Sequence, residues 1–217
     1  MVVAIDGPAG VGKSSIAKMI ADQCGFYYLN SGSFYRAYTL MHIRSGKDPL
    51  DNNDVLKTAK NTSITIKEGL ICVDDISIEH LLHTPQVDEF VAKVSAFPPL
   101  RLLVNDQLRE ISKGLDVVVE GRDITTVVFP DADLKCFFDA KPEIRAERRF
   151  KQHPTDQSYE TVLQQIIERD EIDRNKEVGA LKIADDALYI DTSYLTIGQV
   201  CEKVLSAIFA LKSEINR

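Results

Sequence analysis

An apolar run at residues 2–5 leads directly into a glycine-rich segment at residues 7–14, which reads Gly-Pro-Ala-Gly-Val-Gly-Lys-Ser. The segment matches the pattern G-x-x-x-x-G-K-[ST] at every position. A short continuous apolar run predicts a buried strand, and the residues after Gly12 predict a helix. This order constrains the fold more than any other feature, because a strand that passes through a tight loop into a helix is the building unit of a parallel sheet.

The same segment predicts a phosphate-binding loop. Its backbone N–H groups and the N-terminus of the following helix point at one place and attract phosphate. Lys13 can reach the β- and γ-phosphates, and the Ser14 hydroxyl can hold Mg²⁺. We therefore expect the chain to bind a nucleoside triphosphate. The expected binding residues are Gly7, Pro8, Ala9, Gly10, Val11, Gly12, Lys13, Ser14 and Ser15.

Strand-like and helical runs alternate along the chain, which is typical of an α/β protein with a parallel sheet. Core strands are predicted at residues 2–6, 27–29, 116–120, 134–139 and 187–191. Helices are predicted over 13–24, from about Ser33, from Pro142 to about Lys151, over about 159–175, and from near Thr196, where Thr196 and Gln199 match a capping box.

A long insertion, roughly residues 55–97, separates the second core strand from the third. Residues 62–67 and 70–74 predict an antiparallel hairpin around Glu68-Gly69. Thr84 and Pro85 predict a helix start as N-cap and first helical residue, and a further helix is predicted from about Pro99 to Lys113. We expect this insertion to form a small α+β subdomain mounted on the core.

Composition excludes several classes of protein. The 26 Lys and Arg against 33 Asp and Glu give a net charge of −7, so binding of nucleic acid through a broad basic surface is not expected. No stretch approaches the length of a membrane span, and the N-terminus opens directly into the first strand. Cys24, Cys136 and Cys201 lie in apolar periodic stretches, which predicts buried free thiols and a cytosolic protein.

Two arginines predict a second phosphate site. Arg36 follows the second core strand and Arg122 ends the third. Ligands of parallel sheets gather at the carboxyl ends of the strands, so both guanidinium groups should lie near the phosphate loop. Paired guanidinium groups suit a second bound phosphate, although ordinary surface ion pairs would also explain them.

Charged residues on two later helices admit a functional and a purely structural interpretation. Arg145, Arg148 and Arg149 crowd three cations into less than two turns, which favours a bound anion unless neighbouring glutamates offset them. The second helix carries Arg169, Asp173 and Lys176 on one face, and Asp170 and Arg174 as a second i,i+4 pair. This pattern fits either a ligand face or a salt-bridged solvent face. The polar residues 153–158 between the helices predict a mobile lid.

Taken together, these motifs resemble the bacterial cytidylate kinases, within the nucleoside monophosphate kinase group. Most specific is Gly121-Arg122-Asp123 followed by Thr-Val-Val-Phe-Pro-Asp-Ala at residues 126–132. The other matching segments are residues 7–14, 29–36, 96–101, 145–149 and 169–175, which follow one another in family order over nearly the whole chain. The resemblance implies a single P-loop kinase domain over 1–217, with a monophosphate-binding region at about 30–100 and a lid at about 150–160.

The resemblance also implies the reaction and the roles of residues. ATP, with Mg²⁺ on Ser14, would give its γ-phosphoryl group to CMP or dCMP, and Lys13, Arg36 and Arg122 would be catalytic. Arg148 would contact ATP from the lid side. The implied substrate-binding residues are Ser31, Arg36 and Arg122 at the acceptor phosphate, Arg101 and Asp123 at the cytosine edge, Arg169 and Asp173 at the sugar hydroxyls, and also Lys176. We expect a cytoplasmic monomer with no nucleic-acid or membrane partner.

Three positions depart from the family pattern. Asn30 stands where an aspartate usually precedes the Ser-Gly pair, Thr125 where glycine is common, and Lys176 where arginine is common. Two other functions stay open from the sequence. One is a kinase for UMP or another small acceptor, and the remote one is a non-catalytic, nucleotide-dependent switch.

Overall fold

A parallel sheet carries the N-terminal motif in the computed structural model, which describes residues 1–67, 69–152 and 157–215. Among these residues the sheet has five strands in the order β2-β6-β1-β7-β8. The strands are β1 (Val2–Asp6), β2 (Tyr27–Asn30), β6 (Val117–Gly121), β7 (Leu134–Asp139) and β8 (Leu188–Asp191). The predicted fold class and all five core strands are confirmed, with boundaries that differ by one residue at most.

Strand β1 is apolar because it lies at the centre of this sheet. It pairs in parallel with β6 on one side and β7 on the other, and Val3, Ala4 and Ile5 are fully buried. The register places Asp6, the last residue of β1, beside Gly121 of β6 and Phe137 of β7. The strand therefore ends with a carboxylate at the carboxyl edge of the sheet, immediately before the phosphate loop.

Helices α1 (Lys13–Cys24) and α8 (Ile197–Ile215) pack on each other beside the sheet. α1 ends at Gly25, whose φ of 68° is readily adopted by glycine. The predicted capping box of α8 is confirmed: the Gln199 N–H donates to the Thr196 hydroxyl over 3.2 Å, and the Thr196 N–H donates to Gln199 Oε1 over 2.9 Å. Buried apolar faces of both helices join the core of the sheet, at Ile16, Ala17, Ile20, Val200, Val204 and Ile208.

The chain divides into two compact units. Unit 1 comprises Met1–Tyr28, Gly114–Lys176 and Ala180–Arg217, and contains α1, β6, β7, β8 and α8. Helices α6 (Pro142–Gln152) and α7 (Tyr159–Arg174) also belong to it. Residues 153–156 of the predicted lid lie outside the described residues.

Unit 2 comprises Leu29–Lys113 with Glu177–Gly179. Its helices are α2 (Ser31–Arg44), α3 (Asn52–Lys60), α4 (Pro85–Val94) and α5 (Pro98–Ser112), and its sheet has the order β3-β4-β5 with strands Ile64–Lys67, Leu70–Val73 and Ile76–Ser77. Helix α3 and strand β5 were not predicted. Thr84 precedes α4 as predicted, but its side chain makes no capping hydrogen bond among the described residues.

The four cysteines are free thiols in the described structure. Cys136 and Cys201 are buried as predicted, and so is Cys72. The expectation was wrong for Cys24, which is only half-buried because it is the last residue of α1, where the helix ends at the protein surface. None of the described helices is long and apolar enough to cross a membrane.

Candidate active site

The phosphate loop lies between β1 and α1, and its shape depends on glycine. At Gly7 the φ angle is 152°, and a Cβ there would lie 2.1 Å from the carbonyl oxygen of Phe138 on β7. At Gly12, the residue before α1, φ is 92°. Side chains at these positions would clash or be strained. The loop therefore packs directly against the sheet and leads into the first N–H groups of α1, which is the geometry of an anion cradle.

Lys13 is the buried cation of this loop, with 6% of its surface exposed. Its Nζ donates hydrogen bonds to the carbonyl oxygens of Gly7 at 2.8 Å and Pro8 at 2.7 Å. Burial, with a smaller contribution from the charge of Arg122, lowers the pKa of the ammonium group to about 7. Three carboxylates act in the opposite direction: those of Glu120, Asp6 and Asp173. The loop thus holds a cation whose charge depends on the surrounding acids.

Ser14 and Ser15, in the first turn of α1, are exposed. The described residues contain no group of three or more His, Cys, Asp or Glu side chains that could form a metal cage. A single exposed hydroxyl is the kind of ligand that suits Mg²⁺, which keeps most of its waters and is bound largely through substrate phosphates. The residues present therefore fit the predicted magnesium role of Ser14.

A cluster of opposite charges surrounds Asp173 of α7. Its carboxylate accepts hydrogen bonds from Arg122 Nε and from Lys176 Nζ, each over 2.7 Å, and Arg169 Nε lies 3.8 Å away. Burial would raise the pKa of Asp173, but the charges of Arg122, Lys176 and Arg169 outweigh it and hold the pKa well below its ordinary value. Arg169, Asp173 and Lys176, which the sequence predicts to share one face, thus form a charge network that also includes Arg122.

Asp6 is the acceptor of a second buried cluster of hydrogen bonds, which sequence reasoning missed. Its carboxylate accepts hydrogen bonds from the N–H of Ile124 at 2.9 Å, the N–H of Thr125 at 2.7 Å and the hydroxyl of Thr125 at 2.6 Å. Burial raises the pKa of Asp6 and these hydrogen bonds lower it, and burial prevails, so the pKa is raised to about 6. Only the position of Asp6, between an apolar strand and the glycine-rich loop, could have signalled this role.

Arg145 of α6 supports the phosphate loop. Its guanidinium donates to the Ala9 carbonyl over 3.0 Å, and it forms a two-pronged pair with Asp170 of α7. The predicted pairing of Asp170 with Arg174 is therefore wrong. The reason is that α6 packs on α7, so a buried partner on the neighbouring helix is closer than an exposed one on the same helix.

Arg148, predicted to contact ATP, is bound to the backbone that follows β8. It donates to the carbonyl of Thr192 over 2.6 Å and more weakly to that of Ser193 over 3.3 Å. The Thr192 hydroxyl in turn donates to the carbonyl of Val11 in the phosphate loop over 3.2 Å. Sequence reasoning did not single out Thr192 or Ser193, and no local motif marks them. The contact of Arg148 with ATP stays a prediction.

Ser31, Arg36 and Arg101 belong to unit 2. Arg36 donates to the Leu82 carbonyl over 2.8 Å and forms an ion pair with Asp88 at 2.7 Å. Arg101 is 1% exposed, donates to the Ser95 carbonyl over 2.8 Å, and lies over the ring of Tyr35. Both arginine side chains are thus ordered by contacts within their own unit.

Ser31 is the first residue of α2, and it is buried. Asn30 caps the helix by accepting a hydrogen bond from the Ser33 N–H over 3.3 Å, so it keeps the capping function that an aspartate would have there. The remaining predicted acceptor residues, Arg122, Asp123, Arg169, Asp173 and Lys176, belong to unit 1. That Ser31, Arg36 and Arg101 act on the same ligand as these residues stays a prediction.

The strand, phosphate loop and helix around Lys13, set in this parallel sheet, define the class of the protein as a P-loop nucleotide-binding fold. A crystal structure of shikimate kinase from Bacteroides thetaiotaomicron is similar with a TM-score of 0.50 at 11% identity, over 96% of this chain and 98% of that one. A likeness at this identity shows the fold alone.

Sequence comparison identifies the family within this class to which the chain belongs. The family model for cytidylate kinase matches residues 3–210. The cytidylate kinase of Carboxydothermus hydrogenoformans is 39% identical over 215 residues, which cover 96% of this chain and 97% of that protein. The cytidylate kinase of Clostridioides difficile (strain 630) is 41% identical over 212 residues, which cover 96% and 98%. The chain therefore belongs to the cytidylate kinase family, a family of phosphotransferases.

Proposed function

We propose that this protein transfers the γ-phosphoryl group of ATP to CMP or dCMP and releases ADP with CDP or dCDP. The observation that carries the proposal is the phosphate loop at the end of β1, with Lys13 buried in it, in a chain that matches the cytidylate kinase family over residues 3–210. Phosphoryl transfer requires little covalent chemistry from the protein, so positioning and charge neutralisation supply most of the catalysis.

On the donor side, the proposed ATP site uses the loop N–H groups and the cation of Lys13. The Lys13 ammonium would leave the carbonyl oxygens of Gly7 and Pro8 for the phosphate oxygens, which are stronger acceptors because they are charged. Mg²⁺, when bound, neutralises charge on the phosphate oxygens, and Ser14 is its proposed protein ligand. Arg148 is proposed to contact ATP from the side of the lid at about 150–160.

On the acceptor side, Arg122 of unit 1 and Ser31 and Arg36 of unit 2 are proposed to bind the phosphate of CMP. Arg101 and Asp123 are proposed to bind the cytosine edge, and Arg169 and Asp173 the sugar hydroxyls. Lys176 is proposed as a further substrate-binding residue. No general base is required, because the phosphate oxygen of CMP is already an anion at neutral pH. Residues of about 30–100 would then form the monophosphate-binding region.

We also propose that the enzyme acts as a monomer in the cytoplasm, on small-molecule substrates. The four free thiols support a reducing compartment, and the net charge of −7 argues against nucleic acid as a partner.

The test is ADP release from ATP and Mg²⁺ with a panel of acceptors: CMP, dCMP, UMP, AMP, GMP, shikimate, and none. The proposal predicts strong turnover with CMP and dCMP and little with UMP, because a site built to hydrogen-bond one base edge rejects an edge with reversed donors. Preferred turnover with UMP or another acceptor would assign the protein a different substrate. Nucleotide binding without turnover would favour a nucleotide-dependent switch.

A further inference from the structure

Three hydrogen bonds connect the end of β1 to the turn that follows β6. Asp6 accepts all of them, from a π-helical turn that spans Ile124–Val128. Two donors are backbone N–H groups, which any residue other than proline would supply. The third donor is the Thr125 hydroxyl, which exists only because residue 125 is a threonine, and it forms the shortest of the three bonds at 2.6 Å.

This contact joins the two segments that carry the proposed chemistry in unit 1. Gly7 and the phosphate loop follow Asp6 directly, and Arg122 and Asp123 directly precede the π-helical turn. On its other side Gly7 packs against the Phe138 carbonyl, so the start of the loop has little freedom. The pairing of β1 with β6 brings the two segments together up to Asp6 and Gly121, and beyond the strand ends the Asp6 carboxylate connects them.

We propose that Thr125 is a positioning residue for phosphoryl transfer. Its hydroxyl keeps the Asp6 carboxylate ionised and oriented, and the carboxylate in turn holds the phosphate loop and the Arg122–Asp123 segment in a fixed relative position. This inference rests on the proposed function. A protonated Asp6 keeps its carbonyl oxygen as an acceptor, but its other oxygen becomes a weaker acceptor and carries an added O–H donor, so it binds the three donors less well than the carboxylate does. Protonation would thus loosen the connection that the three hydrogen bonds make.

The charges around Asp6 make its ionisation sensitive to this hydroxyl. Burial, and to a lesser extent the charge of Asp123, raise the pKa of Asp6, and the Thr125 side chain is the strongest of the groups that lower it; together they leave the pKa at about 6. Asp6 in turn stabilises the cations of Lys13 and Arg122, on which Glu120 also acts. A buried carboxylate with a pKa close to neutrality responds measurably to the loss of one hydrogen bond.

The experiment compares pH profiles of kcat for CMP phosphorylation in Thr125→Val, Thr125→Ser and the unaltered enzyme. Thr125→Val keeps the backbone donor and removes the hydroxyl. Loss of a hydrogen bond to a charged group should raise the acid limb of the profile by about one pH unit, so that kcat falls about fivefold at pH 6 and less than about twofold at pH 8. Thr125→Ser should restore the profile, and the KM for CMP should stay within about twofold.

Thr126→Val is the matched control. Thr126 lies in the same turn, and its buried hydroxyl has no hydrogen-bond partner among the described residues. Its replacement should leave the acid limb in place. If Thr125→Val does not fold, Thr125→Ala removes the same hydroxyl and gives the same readout, with the urea midpoint as the check on folding.

Two results would overturn the inference: an unshifted acid limb in a folded Thr125→Val or Thr125→Ala enzyme, or an equal shift in Thr126→Val or Thr125→Ser. The ¹³C titration of the Asp6 carboxyl gives an independent readout, because its pKa should rise in Thr125→Val whether or not CMP is the acceptor. If the unaltered enzyme does not phosphorylate CMP, the proposed function is wrong. If the enzyme is active but the pKa of Asp6 is the same in Thr125→Val, only the proposed role of Thr125 is wrong.

Discussion

Replacement of Asp173 by asparagine tests the charge network on α7. The asparagine keeps the shape of the side chain but removes the charge that compensates Arg122, Lys176 and Arg169. The Asp173 side chain is 1% exposed and that of Lys176 is 3% exposed, so water cannot replace the partner that Lys176 loses. Breaking a buried ion pair in this way costs about 3 kcal/mol or more of the free energy of unfolding.

Chemical denaturation measures this loss. For a chain of this length the urea dependence is about 2–3 kcal/mol per molar, so Asp173→Asn should lower the urea midpoint by about 1 M at pH 7. Asp186→Asn is the control, because it breaks an ion pair with Lys135 whose acid is exposed, and it should leave the midpoint nearly unchanged.

The pH dependence distinguishes a lost charge from lost packing. The pKa of Asp173 is held below its ordinary value, so its contribution to stability is complete above about pH 5 and is lost as the pH falls further. The difference between the unaltered protein and Asp173→Asn should therefore shrink between pH 5 and pH 2. A difference that stays constant over this range, or a midpoint shift no larger than that of Asp186→Asn, would refute the reasoning.

Three further predictions concern single side chains. Lys13→Ala should lower kcat by several orders of magnitude with an unchanged circular dichroism spectrum, because it removes the buried cation of the phosphate loop; equal turnover would contradict that role. Asp123→Ala should weaken CMP about 5- to 150-fold and ATP much less, as measured by titration calorimetry, and equal losses would assign Asp123 to the fold. Thr196→Ala should lower the melting temperature by about 3 °C in calorimetry, because α8 loses its N-terminal cap. An unchanged melting temperature would show that the capping box does not contribute to stability.

The regular elements of unit 1 could be predicted from the sequence because local signals agree with the tertiary structure there. Strand β1 is an uninterrupted apolar run, and α1 ends at a glycine in the left-handed region. In unit 2 the local signals are weaker. Strand β5 has two residues and follows Asp74 and Asp75, which adopt positive φ angles of 49° and 65°, so no alternation of apolar residues marks it.

Helix α3 was missed for a related reason. Its first turn is Asn-Asn-Asp, which favours a loop when it is considered alone. The helix forms because Asp51 accepts hydrogen bonds from the N–H groups of Asn53 and Asp54, and because Val55 and Ala59 are buried on one face. An N-cap followed by a narrow apolar stripe is too weak a signal to predict a helix from the sequence alone, because the residues that pack against the stripe are not known at that point.

The polar contacts of the candidate site also divide into those that a local motif predicts and those that depend on tertiary packing. The phosphate loop and Lys13 are a local motif, and the sequence identifies them directly. The partners of Asp6 lie 118 and 119 residues away, and Asp170 pairs with Arg145 on another helix and not with Arg174 on its own. Such pairings depend on how β1, β6, α6 and α7 pack, which no spacing within one element can specify.

The most direct test of the assignment follows the phosphoryl group itself. The purified protein is incubated with Mg²⁺, CMP and ATP labelled in the γ-phosphate, and the products are separated by ion-exchange chromatography. The assignment predicts label in the β-phosphate of CDP, in equal amount to the ADP formed. Label that stays in ATP, or that appears only as inorganic phosphate, would contradict it.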